Sequence, residues 1–385
     1  MKLIHTSDIH IGVENYGKID PETGLSTRLA DFLRAYDKVV DYAIAENADL
    51  FVFSGDAFKT REPTPTQQRE FAKRILKLSK NGIPSVLLVG NHDTPNSAGK
   101  ANSLDIYSVM EIPRTTVIRE LSLQTVEVKN GDKLQVLGFP WQSRKDHEGY
   151  RERLEKLISE IDPTLPAIGV IHASVTGAKY GSEQLVMLGG DQVVDKEPWK
   201  TPKIQYVALG HIHQHQVISH EPLMIYAGSI ERVDFGEEKE DKVFIDVDIT
   251  PVGRGFKTKY KTISTDARRF ISFNIKASTD HPTDDVLKAL SEKNLKDCVV
   301  KINVDLPQDG NIDLDVEKIR LSLKDAFFVA GVHRNILQAK RVASMENVEQ
   351  LDPASALQKY LESKNFNKER LLHLQSLAQK LMGEA

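Results

Sequence analysis

Five short polar motifs, each just past a predicted strand, constrain this chain more than any other feature. They are Asp8-Ile9-His10, Gly55-Asp56, Gly90-Asn91-His92-Asp93, His172 and Gly210-His211-Ile212-His213. The apolar runs before them, residues 2–5, 50–54, 85–89, 168–171 and 206–209, have strand length and β-branched content. In open α/β sheets, ligands collect beyond the carboxyl ends of strands. The five motifs are therefore expected to converge on one crevice.

The residue types point to metal chemistry. Asp-x-His sets an oxygen and a nitrogen donor on one side of an extended turn, because alternate residues share a face. His-x-His repeats that logic with two imidazoles. The two oxygens of Asp56 can bridge two cations, and Asn91 offers a neutral carbonyl oxygen that adds no negative charge beside a phosphate. Glycines 55, 90 and 210 permit tight backbone just before the ligands. A mixed nitrogen and oxygen set without sulfur suits Mn²⁺, Fe or Zn better than Ca²⁺. Gly-Asp alone carries almost no information and Asp-x-His is common by chance. Gly-Asn-His-Asp and Gly-His-x-His after strands are specific, and the ordered set is more so.

Between the strands lie helical patterns at residues 28–45, 66–80 and 148–161. This alternation predicts an α/β layered domain, its sheets covered by helices, over residues 1–250. A composition shift at Thr250-Pro251-Val252-Gly253 marks a boundary. A small α+β unit follows over residues 251–340, with strands at 270–275, 298–304 and 327–332 and helices at 283–293 and 314–326. Residues 341–385 read as two amphipathic helices whose stripes, Leu357, Tyr360 and Leu361, then Leu371, Leu374, Leu377 and Leu381, need a surface to pack on. That surface is either the same chain or a partner.

The chain has 385 residues and 40% hydrophobic content, enough for two or three units. Its opening strand carries no signal segment, and no run approaches the roughly 18 apolar residues of a membrane span. The single cysteine, Cys298, sits in an apolar run and is expected to be buried and inert. A cytoplasmic, nucleoid-associated protein with no membrane contact is expected. A formal net charge of −4 argues against gripping nucleic acid through an overall field. Such contacts would have to be local or supplied by a partner.

The ordered motifs resemble the calcineurin-like metallophosphoesterase superfamily. Within it, three features are similar to the SbcD nucleases of double-strand-break repair, the prokaryotic relatives of the Mre-eleven nuclease. These are the opening His5-Thr6-Ser7-Asp8-Ile9-His10, the run from Gly228 to Glu237, and a small domain followed by terminal helices. The resemblance implies a metallophosphoesterase β-sandwich flanked by helices, with a capping domain that helps hold DNA. It implies two Mn²⁺ ions, with Mg²⁺, Fe or Zn as substitutes. Asp8, His10 and His213 would hold one and Asn91, His172 and His211 the other, with Asp56 bridging. His92, held by Asp93, would protonate or stabilise the departing sugar oxygen. Implied partners are double- and single-stranded DNA ends, an SMC-like, SbcC-like ABC-type ATPase bound through the C-terminal helices, and a second copy of the chain through surfaces near residues 71–78 and 104–110. Lys59 stands where some relatives carry a histidine that helps exonuclease action. Lys59, Arg61, Arg144, Lys145 and Lys179 are candidate phosphate contacts. Two other readings stay open: a phosphatase or phosphodiesterase with a non-DNA substrate, and a non-catalytic scaffold.

Overall fold

The computed structural model describes residues 1–95, 100–143, 147–181, 193–253, 255–307, 314–336 and 374. The predicted C-terminal helices fall outside them except Leu374, as do Arg144 and Lys145.

The first unit is a sandwich of two six-stranded sheets. Strands β1 (Lys2–Thr6), β2 (Leu50–Phe53), β3 (Ser85–Leu88) and β4 (Thr115–Ile118) run parallel. β13 (Val243–Val252) adds antiparallel to β1, and β14 (Gly255–Ser264) closes the edge. The second sheet contains β5 (Ser122–Glu127), β6 (Lys133–Phe139), β7 (Ala167–His172), β10 (Tyr206–Gly210), β11 (Gln216–His220) and β12 (Leu223–Tyr226), in the order β11-β12-β10-β7-β6-β5. A two-stranded ribbon of β8 (Ser174–Val175) and β9 (Val193–Val194) stands apart.

Strands β1, β2, β3, β7 and β10 are buried along their lengths, which explains their nearly unbroken apolar sequences. Leu3, Val52, Val86, Ile168, Val170, Ala208 and Ile245 form the core between the sheets. The outer face of the first sheet packs on α1 (Thr27–Ala45), α2 (Pro65–Lys80) and α3 (Asp105–Val109) through Tyr36, Val40, Phe71, Ile75 and Tyr107. α4 (Tyr150–Glu160) and Trp199 cover the second sheet. Thr64 and Gln67 form a capping box that fixes the start of α2.

The unit boundary moves from its predicted place. Residues 251, 252 and 255–264 belong to the first sheet, with Pro251 opposite Phe256 and Val252 opposite Gly255 in the β13–β14 register. Pro251 and Val252 end β13 and Gly253, at φ 59°, begins the hairpin turn, a use of turn residues that composition cannot separate from a linker. The second unit starts at β15 (Phe270–Lys276) and continues through α5 (Pro282–Ser291), β16 (Val299–Leu306), α6 (Val316–Ser322) and β17 (Phe328–Ile336). Its three strands are parallel and in sequence order. Cys298 is buried in its core and burial raises its thiol, as expected for an inert position. Among the described residues, no helix is long and apolar enough to cross a membrane.

A buried charge cluster joins the units. Arg28 in α1 donates to Asp31 at 2.7 Å and to the Arg232 carbonyl at 2.6 Å. Arg268, just before β15, grips both oxygens of Asp31 at 2.6 Å. Its guanidinium lies 3.4 Å from the ring centre of Phe327, and that of Arg28 lies 5.3 Å from that of Phe270.

Candidate metal centre

All five motifs lie at one end of the sandwich. The loops after β1 and β2 run side by side, with Asp8 N–H donating to Gly55 O, His10 N–H to Asp56 O and Ile11 N–H to Ala57 O. Asp8, His10, Asp56 and His211 all have positive φ, between 48° and 99°. Such backbone is uncommon outside glycine and persists where the surroundings over-determine it. Gly55, at φ 102°, has a second constraint: a Cβ there would sit 2.2 Å from Nδ1 of His172. A Cβ on Gly90 would sit 2.2 Å from Oδ1 of Asp56.

The predicted ligands converge. Nε2 of His10 lies 2.9 Å from Nε2 of His213, 3.8 Å from Oδ2 of Asp56 and 4.0 Å from Oδ1 of Asp8. Oδ1 of Asn91 lies 2.9 Å from Nε2 of His172 and 3.0 Å from Nδ1 of His211. Nε2 of His172 lies 3.4 Å from Oδ2 of Asp56, which therefore faces both groups. Asp8, His10 and His213 form one set with donor atoms within 4.8 Å of one another, and Asp8, Asp56 and His172 form another. His92 also comes within such reach of His10 and Asp56. Asp8, His10, Asp56, His172 and His211 are buried, whereas Asn91, His92 and His213 are half-buried and form the open side.

The outer hydrogen bonds set the donor atoms. Nδ1 of His172 faces the Ser54 carbonyl at 2.7 Å, Nδ1 of His213 faces Glu237 at 2.7 Å, and Nδ1 of His10 faces the Phe58 carbonyl at 3.4 Å. With each Nδ1 donating outward, each Nε2 is aimed into the cluster, the orientation a metal ligand needs. Two imidazole nitrogens 2.9 Å apart without a shared proton repel, and a cation between such donors relieves this. The donor set fits a pair of divalent cations.

Burial works against protonation of His172, but Asp56 and Asp8 outweigh it and raise this imidazole to about 9, so a cation entering the site would displace its Nε2 proton. Burial, reinforced by the neighbouring His213, holds the His10 imidazole well below its ordinary range and hence neutral. Burial works against ionisation of Asp56, but His172 outweighs it and keeps this carboxyl well below its ordinary range. Asp93 goes the other way: burial and the charge of Asp56 push it up to about 7.

Asp93 corrects one expectation. Its carboxylate accepts from the backbone N–H groups of Asp56 (2.9 Å), Ala57 (3.0 Å) and Gly90 (3.0 Å), and from Ser103 Oγ (3.3 Å). It shapes the loop that carries Asp56. His92 is instead held through Nδ1 by the Lys59 carbonyl at 2.7 Å. Residues adjacent in sequence point to different sides of the same turn, so adjacency did not imply contact.

Two participants were missed by sequence reasoning. Glu237, fully buried, orients His213; it belongs to the run from Gly228 to Glu237, but nothing local to it marks a histidine partner. His5, assigned no role at the site from sequence, bridges Tyr206 (2.8 Å) and Ser54 (2.9 Å), the residue whose carbonyl holds His172. Of the basic candidates, Arg61 donates to the Asn91 carbonyl at 3.2 Å and so braces the site itself. The Lys179 backbone pairs with Gln216.

Comparison with known proteins agrees with the geometry. The chain is 27% identical over 249 residues to the DNA double-strand break repair protein Mre11 of Archaeoglobus fulgidus, covering 62% of this chain and 52% of that protein. It is 27% identical over 276 residues to an SbcCD nuclease subunit of Bacillus subtilis, covering 65% and 67%. With the corresponding SbcCD polypeptide of Escherichia coli K12 it shares 25% over 264 residues, 62% of each. The chain thus spans about half the length of the archaeal relative. The family model described as calcineurin-like phosphoesterase matches residues 1–215, more than half of the 385, and takes in all five motifs. The chain belongs to the calcineurin-like phosphoesterase family.

Proposed function

We propose that the chain is a Mn²⁺-dependent DNA nuclease that processes broken ends, cutting duplexes as an exonuclease and single strands as an endonuclease. The observation that carries this reading is the convergence of Asp8, His10, Asp56, Asn91, His172, His211 and His213 at one end of the sandwich, in a chain whose relatives include a DNA double-strand break repair protein and nuclease subunits.

Asp8, His10 and His213 would hold one cation and Asn91, His172 and His211 the other, with Asp56 between them. When bound, a cation pair neutralises charge on the phosphate ester and clamps its oxygens. His92 donates through Nδ1 to Lys59, which turns Nε2 toward the cluster. There it can hold or deliver a proton at the departing sugar oxygen. Asp93 and Gly90 fix the loops, and Arg61 steadies Asn91.

The partners follow the same reading. The small unit would cap the site and hold DNA, and residues 341–385 would bind an SMC-like ATPase. A second copy would dock on α2 and α3. Phe71, Ile75, Leu78, Leu104 and Tyr107 face the core there, but Leu76, Ile106, Val109 and Met110 are exposed, Val109 by 81%. Exposed apolar groups clustered on one face suit an isologous dimer.

The test compares duplex DNA, single-stranded DNA, bis-p-nitrophenyl phosphate and p-nitrophenyl phosphate with Mn²⁺, alone and with the ATPase. DNA cutting that disappears in Asp8→Ala is expected. Turnover of the monoester with none of DNA would favour a phosphatase, and a folded chain that binds no metal would favour a scaffold.

A further inference from the structure

The 3-10 turn Phe235–Glu237 and the next residue, Glu238, touch both the candidate metal centre and the small unit. Toward the centre, Oε1 of Glu237 holds Nδ1 of His213 at 2.7 Å. Toward the small unit, the Phe235 ring packs edge-on against Phe270 of β15, with centroids 5.0 Å apart; its other edge-on neighbour, Tyr16 at 5.3 Å, belongs to the first unit. Lys301 of β16 lies 4.5 Å from the Phe235 ring centre. Glu238 accepts the Ser272 N–H at 3.0 Å and the Ser272 hydroxyl. Arg232 ties the turn to the connecting segment, donating to the Glu237 carbonyl (3.2 Å) and to those of Ala267 (3.4 Å) and Arg268 (3.0 Å).

The other Glu237 oxygen is also taken, by Val233 N–H (2.9 Å), Ser229 Oγ (3.3 Å) and Lys242 Nζ (2.8 Å). These groups set the plane of the carboxylate. The backbone of the turn sets its reach, and that backbone is seated on either side of Glu237 by small-unit contacts. A displacement of about 1 Å would stretch a charge-assisted hydrogen bond past its useful length.

We propose that the seating of the small unit on this turn sets the orientation of His213, with Phe235 and Glu238 as positioning residues acting through Glu237. The inference rests on the reading of His213 as part of the metal centre. A load on β15 reaches His213 through one short turn. Coupling is reciprocal, so occupancy of the centre would in turn favour the seated arrangement of the small unit.

The test uses the full chain and two readouts. In metal-free protein, long-range ¹H–¹⁵N spectra report the His213 Nδ1 hydrogen bond. In equilibrium Mn²⁺ titrations followed by electron paramagnetic resonance, two sites are counted separately. Glu238→Ala and Ser272→Ala are each expected to move the His213 signal and to weaken one site about tenfold, the lower end of the effect of outer-shell partners. Glu238→Gln, which keeps an acceptor, should restore most of the affinity. In a Glu237→Gln background, Glu238→Ala should add nothing. An unmoved His213 signal in Glu238→Ala, or a full additive loss in the Glu237→Gln background, overturns the inference. Wild-type protein that binds no Mn²⁺ would overturn the metal reading instead, and the His213 signal would still decide the coupling.

Discussion

Nδ1 of His92 lies 2.7 Å from the carbonyl oxygen of Lys59. Lys59 thus serves the centre through its backbone carbonyl, which any residue supplies. Lys59→Ala is expected to leave DNA cutting within about threefold of wild type. His92→Ala should lose about 10²-fold or more in kcat, the scale of a general acid, with its two metal equivalents retained in calorimetry. A larger loss for Lys59→Ala than for His92→Ala would reverse these roles.

Asp93 accepts three backbone N–H groups in a buried site. Asp93→Ala leaves them unpaired, at about 1–3 kcal/mol for each orphaned group. At least about 2 kcal/mol of destabilisation is expected in urea unfolding, together with weaker metal binding because the Asp56 loop relaxes. Unchanged stability would show that the loop holds its shape without this cap.

Asp31 sets an acid-side dependence of stability. Burial raises its carboxyl, but the hydrogen bonds and charge of Arg268, with Arg28 and Arg34, outweigh that and hold it below its ordinary range. A depressed folded pKa gives stability that is present above the unfolded value of about 3.9 and is lost as pH falls through the folded value. Asp31→Asn should therefore flatten the decline below about pH 4. At neutral pH it takes a carboxylate from the buried Arg28, which keeps Glu231 at 3.8 Å, and from Arg268, so a lower urea midpoint is expected there as well. Urea midpoints between pH 3 and 7 read both effects, and an unaltered acid slope in the variant would assign the decline to other groups.

Metal occupancy should stabilise the fold by mass action. At a free Mn²⁺ concentration about a hundred times Kd, one site contributes about 2.7 kcal/mol. Scanning calorimetry is expected to show Tm several degrees higher with Mn²⁺ and the gain reversed by EDTA. Asp56→Ala should lose most of the gain, because Asp56 faces both ligand groups. An equal gain in that variant would place the ions elsewhere.

The exposed Val109 and Met110 offer a test of self-association. Val109→Glu with Met110→Lys should convert a dimer to a monomer in light scattering at micromolar concentration, with the melting of the fold little changed, since neither side chain enters the core. A wild-type monomer under the same conditions removes the proposed interface.

The sequence alone determined the buried strands, the long helices and the meeting of the seven donor residues. β1, β2, β3, β7 and β10 are apolar because both faces are covered, and a polar motif at the end of such a strand has one place to go, the crevice beyond the sheet. The strands it concealed are mostly sheet edges: β5, β11 and β14 each have one neighbour and a half-polar face, so their patterns merge with those of loops. β14 also hides where the first unit ends, since only its pairing with β13 shows that residues 255–264 belong to the first sheet. Tertiary structure also decided which groups hold the donors. The partners of His172, His213 and His92 are the Ser54 carbonyl, Glu237 and the Lys59 carbonyl, from 118, 24 and 33 residues away. A backbone carbonyl has no signature in sequence, because every residue owns one and only the fold selects which of them faces an imidazole.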